Sequence, residues 1–179
     1  EKYPYRYGMK KAQIHTAFFP KLKPTVFDSF ISRLEEEQAI KRVDEFLCTP
    51  DYEVCKDATY QQVSETLLGA MEKAGFDFVR YGEIPVKGVS QEVEDDILNI
   101  LLEEKQIVKV TEEMYTLSSY MEQAKEKIRE KLKEEPVITI AQVRDMFHTS
   151  RKSAKPILEY MDMVKVTRKT GAESERVAY

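Results

Sequence analysis

The fold is decided by residues 138–163, ITIAQVRDMFHTSRKSAKPILEYMDM. Thr139, followed by Gln142 three residues later, has the form of a capping box, which starts a helix. Thr149-Ser150 then offers an N-cap for a second helix, two or three residues after the first one ends. The stretch therefore predicts a helix-turn-helix, with helices at Thr139–Phe147 and Ser150–Met163.

The apolar residues of both helices follow helical spacing, which puts them on one face of each helix. In the second helix they are Ala154, Ile157, Leu158 and Met161. The first helix has Ile138, Val143 and Phe147. Such stripes are far more often part of a core than of a cofactor site, and we interpret them as core.

The same organisation occurs three times along the chain. An amphipathic helix runs into a short β-rich segment at Phe46-Leu47, at Tyr115–Leu117 and at Arg176–Tyr179. We interpret each as a helix that leads into a two-stranded hairpin. The helices that lead into the first two hairpins have the same kind of apolar stripe. In the first of them it consists of Phe27, Phe30, Ile31 and Leu34, and in the second of Val93, Ile97, Ile100 and Leu101. Further helices are predicted at Met9–Phe18, Pro24–Glu37, Ala58–Ala74 and Tyr120–Glu135.

Helix, tight turn, helix and hairpin together are typical of the winged helix-turn-helix. The predicted fold class is mainly α with small β-hairpins (α+β), in tandem modules at 1–56, 57–119 and 120–179. The first module lacks its opening helix, of which Glu1-Lys2 could be the last turn. Residues 76–88 contain Gly82, Pro85 and Gly88, and the pattern leaves helix, turn and strand open there.

Composition and motifs argue against an enzyme. No phosphate-binding glycine loop, HExxH motif or histidine with a nucleophilic partner occurs, and we expect no catalytic site and no metal site. The acids of Glu35–Glu37 and Glu94–Asp96 point in different directions on a helix, so we interpret them as solvated faces. Cys48 and Cys55 indicate reduced thiols in a cytosolic protein. No apolar run is long enough to span a membrane, and the chain begins with Glu1, which indicates a piece of a longer protein.

Charge is distributed unevenly in this chain of net charge −4. Residues 119–179 contain 13 Lys and Arg against 10 Asp and Glu, whereas the first 118 residues contain 15 against 22. Contact with nucleic acid is therefore expected only in the last third. The basic residues there are Arg144, Arg151, Lys152, Lys155, Lys165, Arg168 and Lys169. Arg151 and Lys152 lie in the first turn of a helix, where free backbone N–H groups already favour a phosphate. We expect one basic surface, formed by this helix start and the hairpin.

These residues resemble the last winged helix of the bacterial selenocysteine-specific elongation factor, SelB. The resemblance rests on Arg144-Asp145, on Ser150-Arg151-Lys152, on Pro156-x-Leu158-Glu159-Tyr160-x-Asp162 and on Thr167-Arg168-Lys169. Residues 3–9, YPYRYGM, are also similar to the loop that enters the family's second winged helix. By this resemblance, the chain would hold the second, third and fourth of the family's four winged helices.

The resemblance implies that the last module binds the selenocysteine insertion hairpin of an mRNA, so that UGA is decoded as selenocysteine. Carried over to this chain, the RNA-binding residues are Arg144, Ser150, Arg151, Lys152, Lys155, Lys165, Arg168 and Lys169. Glu173 and Glu175, in the loop of the last hairpin, put a contact by its tip in doubt. The family's GTPase part, with its GTP and Mg²⁺, has no counterpart here, so we expect no cofactor in this fragment.

The implied partners are the mRNA hairpin, the ribosome and, through other domains, selenocysteinyl-tRNA, for a cytoplasmic monomer with no membrane contact. Two alternatives stay open. One is a DNA-binding winged-helix transcription regulator, which needs a basic recognition helix in a symmetric pair. The other is an acidic scaffold that contacts proteins only. The sequence does not determine the cognate hairpin, the angles between modules, or whether the first two modules touch RNA or the ribosome.

Overall fold

The computed structural model describes residues 3–171 and 174–179. The predictions for Glu1-Lys2 and for Glu173 lie outside these residues. The helices are α1 Lys11–Phe18, α2 Pro24–Glu36, α3 Ala58–Ala74, α4 Gln91–Glu103, α5 Ser118–Glu134, α6 Ile140–Met146 and α7 Arg151–Met163. The strands are β1 Met9–Lys10, β2 Lys41–Val43, β3 Phe46–Cys48, β4 Val79–Arg80, β5 Ile107–Lys109, β6 Met114–Leu117, β7 Ile138–Thr139, β8 Thr167–Lys169 and β9 Glu175–Ala178. None of the helices described here is both long and apolar enough to cross a membrane.

The strands form three antiparallel sheets with the same topology, in the orders β1-β3-β2, β4-β6-β5 and β7-β9-β8. The predicted two-stranded hairpins are present as β2-β3, β5-β6 and β8-β9, and each is joined by a third strand that the sequence did not predict. The third strand is only two residues long each time, too short to produce a visible alternation of apolar and polar residues. The fold class is confirmed as α+β, in tandem winged-helix modules.

The segment that the sequence left open contains no α-helix. Gly75–Asp77 and Tyr81–Glu83 form 3-10 turns on either side of β4. Gly75 has a φ of +55°, as expected for the left-handed residue that ends α3. The middle module therefore replaces its second helix by two tight turns.

By its internal contacts the chain divides into two units, residues 1–63 with 89–103, and residues 64–88 with 104–179. In the first unit, the core beneath α2 is formed by Phe27, Ile31 and Leu47. Phe30, predicted to be buried, is 41% exposed. Helical spacing alone does not tell how wide the buried face of a helix is. In α2 the buried face includes Phe27 and Ile31 but not Phe30. The Phe30 ring lies at the edge of this face, 5.7 Å from the Phe19 ring between centroids.

The prediction that Glu94–Asp96 form a solvated face was wrong for two of the three residues, because Glu94 and Asp96 are buried and only Asp95 is exposed. Arg6 binds Asp96 in a bidentate pair, with Nε–Oδ1 and Nη2–Oδ2 distances of 3.0 and 2.9 Å. This hydrogen bonding raises the pKa of Arg6, which burial would otherwise lower. Arg6 and Asp96 are 90 residues apart in sequence, so no local sequence pattern could have predicted that they form a pair.

Replacing Arg6 by alanine is expected to lower the free energy of unfolding by about 2–3 kcal/mol, because Asp96 stays buried without its partner. Urea denaturation followed by circular dichroism measures this change. Arg33→Ala is the control, since its pair with Glu37 is exposed and its loss should cost about 0.5 kcal/mol or less. Equal effects of the two substitutions would contradict the structural role given to the Arg6–Asp96 pair.

In the second unit, one core cluster joins the last module to the sheet β4-β6-β5. Buried residues of α5, α6 and α7 form most of it, and Phe78 belongs to the same cluster. The Phe76 and Phe147 rings lie 4.4 Å apart between centroids. The turn after α3 is thus packed against the last helix-turn-helix, which holds the candidate site.

Candidate nucleic-acid interface

The two helices of the last module begin at the predicted residues. The Thr139 hydroxyl accepts from the backbone N–H of Gln142 at 3.3 Å, and the Gln142 side chain accepts from the backbone N–H of Thr139 at 2.8 Å. This is the predicted capping box. Ser150 is the N-cap of α7, and its Oγ accepts from the backbone N–H of Ser153 at 3.3 Å.

The buried face of α7 also agrees with the prediction. Its apolar residues Ala154, Ile157, Leu158 and Met161 are fully buried. Ile138, Val143 and Phe147 are buried as well, and they belong to the same core cluster as the apolar residues of α7. Since the apolar face is turned inward, the charged residues of α7 remain on the other face of the helix.

Arg151 and Lys152, in the first turn of α7, are exposed. Neither makes an ion pair or a side-chain hydrogen bond with any residue in the described ranges. Both cations are therefore available to an anionic ligand. Ion pairs with the acidic modules would have removed them from the candidate site.

Arg144 and Arg151 line one cleft of about 280 Å³. Its other lining residues are Thr139, Ile140, Ala141 and Ser174. Arg144 donates to the Asp145 carboxylate, with an Nη2–Oδ1 distance of 2.7 Å, but both side chains are exposed. Exposed pairs of this kind are worth at most about 1 kcal/mol, so a phosphate can replace Asp145. The tertiary structure thus places α6, the start of α7 and the hairpin loop around one basic cleft.

Ser150 contributes to this site by building the helix start. Its hydroxyl caps α7, and its backbone N–H donates to Asp77 Oδ1 at 3.2 Å. Asp77 Oδ1 also accepts from the Thr149 hydroxyl at 2.5 Å. One of the backbone N–H groups expected to meet a phosphate is therefore bound to Asp77. The side chains of Arg151 and Lys152 supply the positive charge at this helix start.

The other predicted residues lie in different settings. Lys155 forms an i, i+4 pair with Glu159 at 3.7 Å. Arg168 and Lys169 are exposed on β8, and Arg168 Nε donates to the Ala178 carbonyl at 3.3 Å. A contact of RNA with any of these three stays a prediction.

Lys165 lies apart from the cleft. It follows the carboxyl end of α7, whose 13 residues span roughly 18 Å at the usual rise per residue. Its Nζ lies 5.8 Å from the ring centroid of Tyr179. Lys165 and Arg151 therefore stand at opposite ends of α7, and a contact of RNA with Lys165 stays a prediction.

The hairpin contains a buried charge that the sequence analysis did not predict. Arg176 on β9 is only 1% exposed, and its Nε donates to Asp162 Oδ2 at 2.6 Å. The buried Thr167 donates its hydroxyl to Asp162 Oδ1 at 2.7 Å. Asp162 thus fastens β8 and β9 to α7. Arg176 follows the alternation of β9, where it takes an inward position between Glu175 and Val177, and this was the available signal.

Comparison with known proteins identifies the family. Two family models, both described as "Elongation factor SelB, winged helix", match residues 1–47 and 130–174. The chain belongs to the SelB elongation factor family. The second match contains the capping box, the turn and α7. How the three modules are numbered within the SelB family, and where their boundaries fall, stay predictions.

A SelB relative and two solved structures extend the comparison. The selenocysteine-specific elongation factor of Desulfomicrobium baculatum is 25% identical over 175 residues, which cover 94% of this chain and 27% of that protein. The chain thus spans about a quarter of the length of this relative. The mRNA-binding domain of E. coli SelB, solved in complex with SECIS RNA, has a TM-score of 0.54 at 19% identity, over 68% of this chain and 98% of that one.

The second solved structure is the bacterial selenocysteine-specific elongation factor EF-Sec. Its TM-score is 0.56 at 18% identity, over 97% of this chain and 26% of that one. At these identities the two structures show a shared fold and do not transfer individual contacts to this chain.

Proposed function

We propose that this chain is the carboxyl-terminal, RNA-binding part of a selenocysteine-specific elongation factor. Its last winged helix binds the selenocysteine insertion hairpin of an mRNA. The observation that carries the proposal is the pair of exposed, unpaired cations Arg151 and Lys152 at the start of α7, beside the cleft that Arg144 lines. The complex of the E. coli SelB domain with SECIS RNA supports it.

The shape of the site favours folded RNA over duplex DNA. The major groove of A-form RNA is too narrow for a helix, so proteins contact RNA at phosphates, loops and bulged bases. A helix start with two cations presents charge at its tip, which suits such a contact. Glu159, exposed further along the same helix, would repel a duplex lying lengthwise against α7.

The chain acts in this proposal by binding and not by catalysis. The first two modules separate the hairpin-binding end from the part of the factor that carries GTP and selenocysteinyl-tRNA. The complex forms on the ribosome in the cytoplasm, with one copy of the chain for each hairpin. Bringing the factor to the hairpin raises its local concentration beside the UGA codon.

A titration of the whole chain against two nucleic acids tests the proposal. The first is a bulged RNA hairpin from the mRNA region that follows an in-frame UGA codon, and the second is a DNA duplex of equal length. We expect the hairpin to bind at least tenfold more tightly at physiological salt, as measured by filter binding. Tight binding to a palindromic DNA duplex would instead identify a transcription regulator, and binding to neither would point to a protein scaffold.

A further inference from the structure

The helix-turn-helix of the first module is locally basic, although the first 118 residues as a whole are acidic. From Met9 to Phe27 the sequence contains four lysines and no acidic residue. Net charge over the first 118 residues is negative, and this average led to the expectation of no nucleic-acid contact there. A local basic stretch within an acidic chain can still form a local binding surface.

The turn between α1 and α2 is firmly held. It is closed by a hydrogen bond from the Leu22 N–H to the Phe19 carbonyl at 3.0 Å. His15 Nε2 lies 2.9 Å from the Leu22 carbonyl oxygen, and the Phe19 ring packs on Phe27 at 5.6 Å between centroids. With Phe19 and Leu22 anchored in this way, the residues between and beside them keep a fixed position.

Apolar and cationic side chains are exposed together at this turn. Phe18, the last residue of α1, is 66% exposed, so its ring is accessible to a ligand. Lys21 and Lys23 are exposed, and neither makes an ion pair or side-chain hydrogen bond within the part of the chain that the structure describes. Lys11 in the same module differs, because it is paired with Asp28 at 2.8 Å.

We propose that Phe18, Lys21 and Lys23 form a second nucleic-acid surface, one that binds single-stranded RNA. A base stacks on the Phe18 ring while the two lysines neutralise neighbouring phosphates, the combination by which proteins hold single strands. Phe18 and Lys23 are five residues apart, so their Cα atoms are at most roughly 17 Å apart. A few nucleotides can span that distance. The proposal goes beyond the proposed function, since it uses no residue of the last module.

The two lysines and the exposed Phe18 ring together favour single-stranded RNA over a protein or a nucleic-acid duplex. An apolar patch alone would suit a protein partner. A protein, however, would also need acidic side chains opposite Lys21 and Lys23, which have no acidic partner among residues 3–171 and 174–179. A duplex offers no free base face to Phe18, because its bases are stacked on each other. A single strand supplies both the base face and the phosphates.

The test uses the whole chain with Arg151→Ala and Lys152→Ala, so that the surface on α7 does not contribute. Fluorescence anisotropy at low salt measures its binding to labelled oligouridine. Added Phe18→Ala should weaken binding about tenfold, the loss of one stacked base. Phe18→Trp should keep the affinity, and Phe18→Leu, which retains apolar area without the ring, should lose it as alanine does. Circular dichroism checks that each variant is folded.

The lysines are tested by salt dependence. Lys21→Ala with Lys23→Ala should reduce the slope of log K against log salt by about 1.4, the value for two phosphate contacts on a single strand. Lys73→Ala with Lys133→Ala is the matched control, because both lysines are exposed in the last turn of a helix elsewhere. The control pair should leave the slope unchanged.

Several results would overturn the proposal. They are no binding of oligouridine at low salt, full binding by Phe18→Leu, tighter binding of an RNA duplex, or tighter binding of oligothymidine than of oligouridine. None of these results touches hairpin binding by α7, which is measured with Arg151 and Lys152 intact. The failure of one proposal is thus distinguishable from the failure of the other.

Discussion

Replacing Arg151 and Lys152 together by alanine is expected to weaken binding of the RNA hairpin by about 3 kcal/mol, roughly a hundredfold. The reason is that both cations are exposed and unpaired at the start of α7. They therefore bring their full charge to a phosphate without first breaking a pair. The helix start has one N–H group fewer for the same phosphate, because the Ser150 N–H already donates to Asp77.

Filter binding over a range of salt concentrations measures this effect. Besides the loss of affinity, the slope of log K against log salt should fall by about 1.5, since two phosphate contacts are removed. Lys73→Ala with Lys133→Ala again removes two positive charges elsewhere and should change little. An unaltered hairpin affinity after the Arg151 and Lys152 substitutions would show that the interface lies on another surface of the chain.

Replacing Asp162 by alanine is expected to destabilise the last module by about 3–5 kcal/mol, the cost of leaving a buried charge without its partner. Arg176, 1% exposed, would lose the carboxylate that its Nε binds at 2.6 Å. The buried Thr167 hydroxyl would lose its acceptor as well. Since Asp162 joins the hairpin to α7, its loss should also loosen the hairpin loop beside Arg144 and Arg151.

Urea denaturation gives the size of this destabilisation, and two further variants show its origin. Glu159→Ala, on the same helix, breaks only the exposed pair with Lys155 and should cost about 0.5 kcal/mol or less. Asp162→Ala combined with Arg176→Met removes both charges of the pair and should recover part of the stability. If the double variant were as unstable as Asp162→Ala alone, the loss of the carboxylate beside Arg176 would not be the cause.

Local features of the last module were predictable because their causes lie within a few residues of each other. A capping box needs only Thr139 and Gln142, and an N-cap needs only Ser150 and the first turn of α7. Helical spacing then placed Ala154 and Leu158 in the core. The same spacing failed at Phe30, because it tells which side of a helix is apolar but not how far the neighbouring elements cover it.

The SelB family was also accessible from the sequence, since its motif lies in one stretch of the chain. The motif did not separate structural from RNA-binding residues. Asp162 and Thr167 belong to it, but they hold the hairpin on α7 through Arg176. Ser150 belongs to it as well, and its hydroxyl is committed to the cap.

By itself, the sequence determined the repeated winged helix, the helix starts and the family, because periodicity, capping and a contiguous motif are properties of neighbouring residues. Only the tertiary structure decided which charged groups are satisfied and which are available. Arg6 binds Asp96, which is 90 residues away in sequence, and Ser150 binds Asp77, which is 73 residues away. The same folding leaves Arg151 and Lys152 exposed. Burial and pairing depend on the whole path of the chain, and no short stretch of it contains that information.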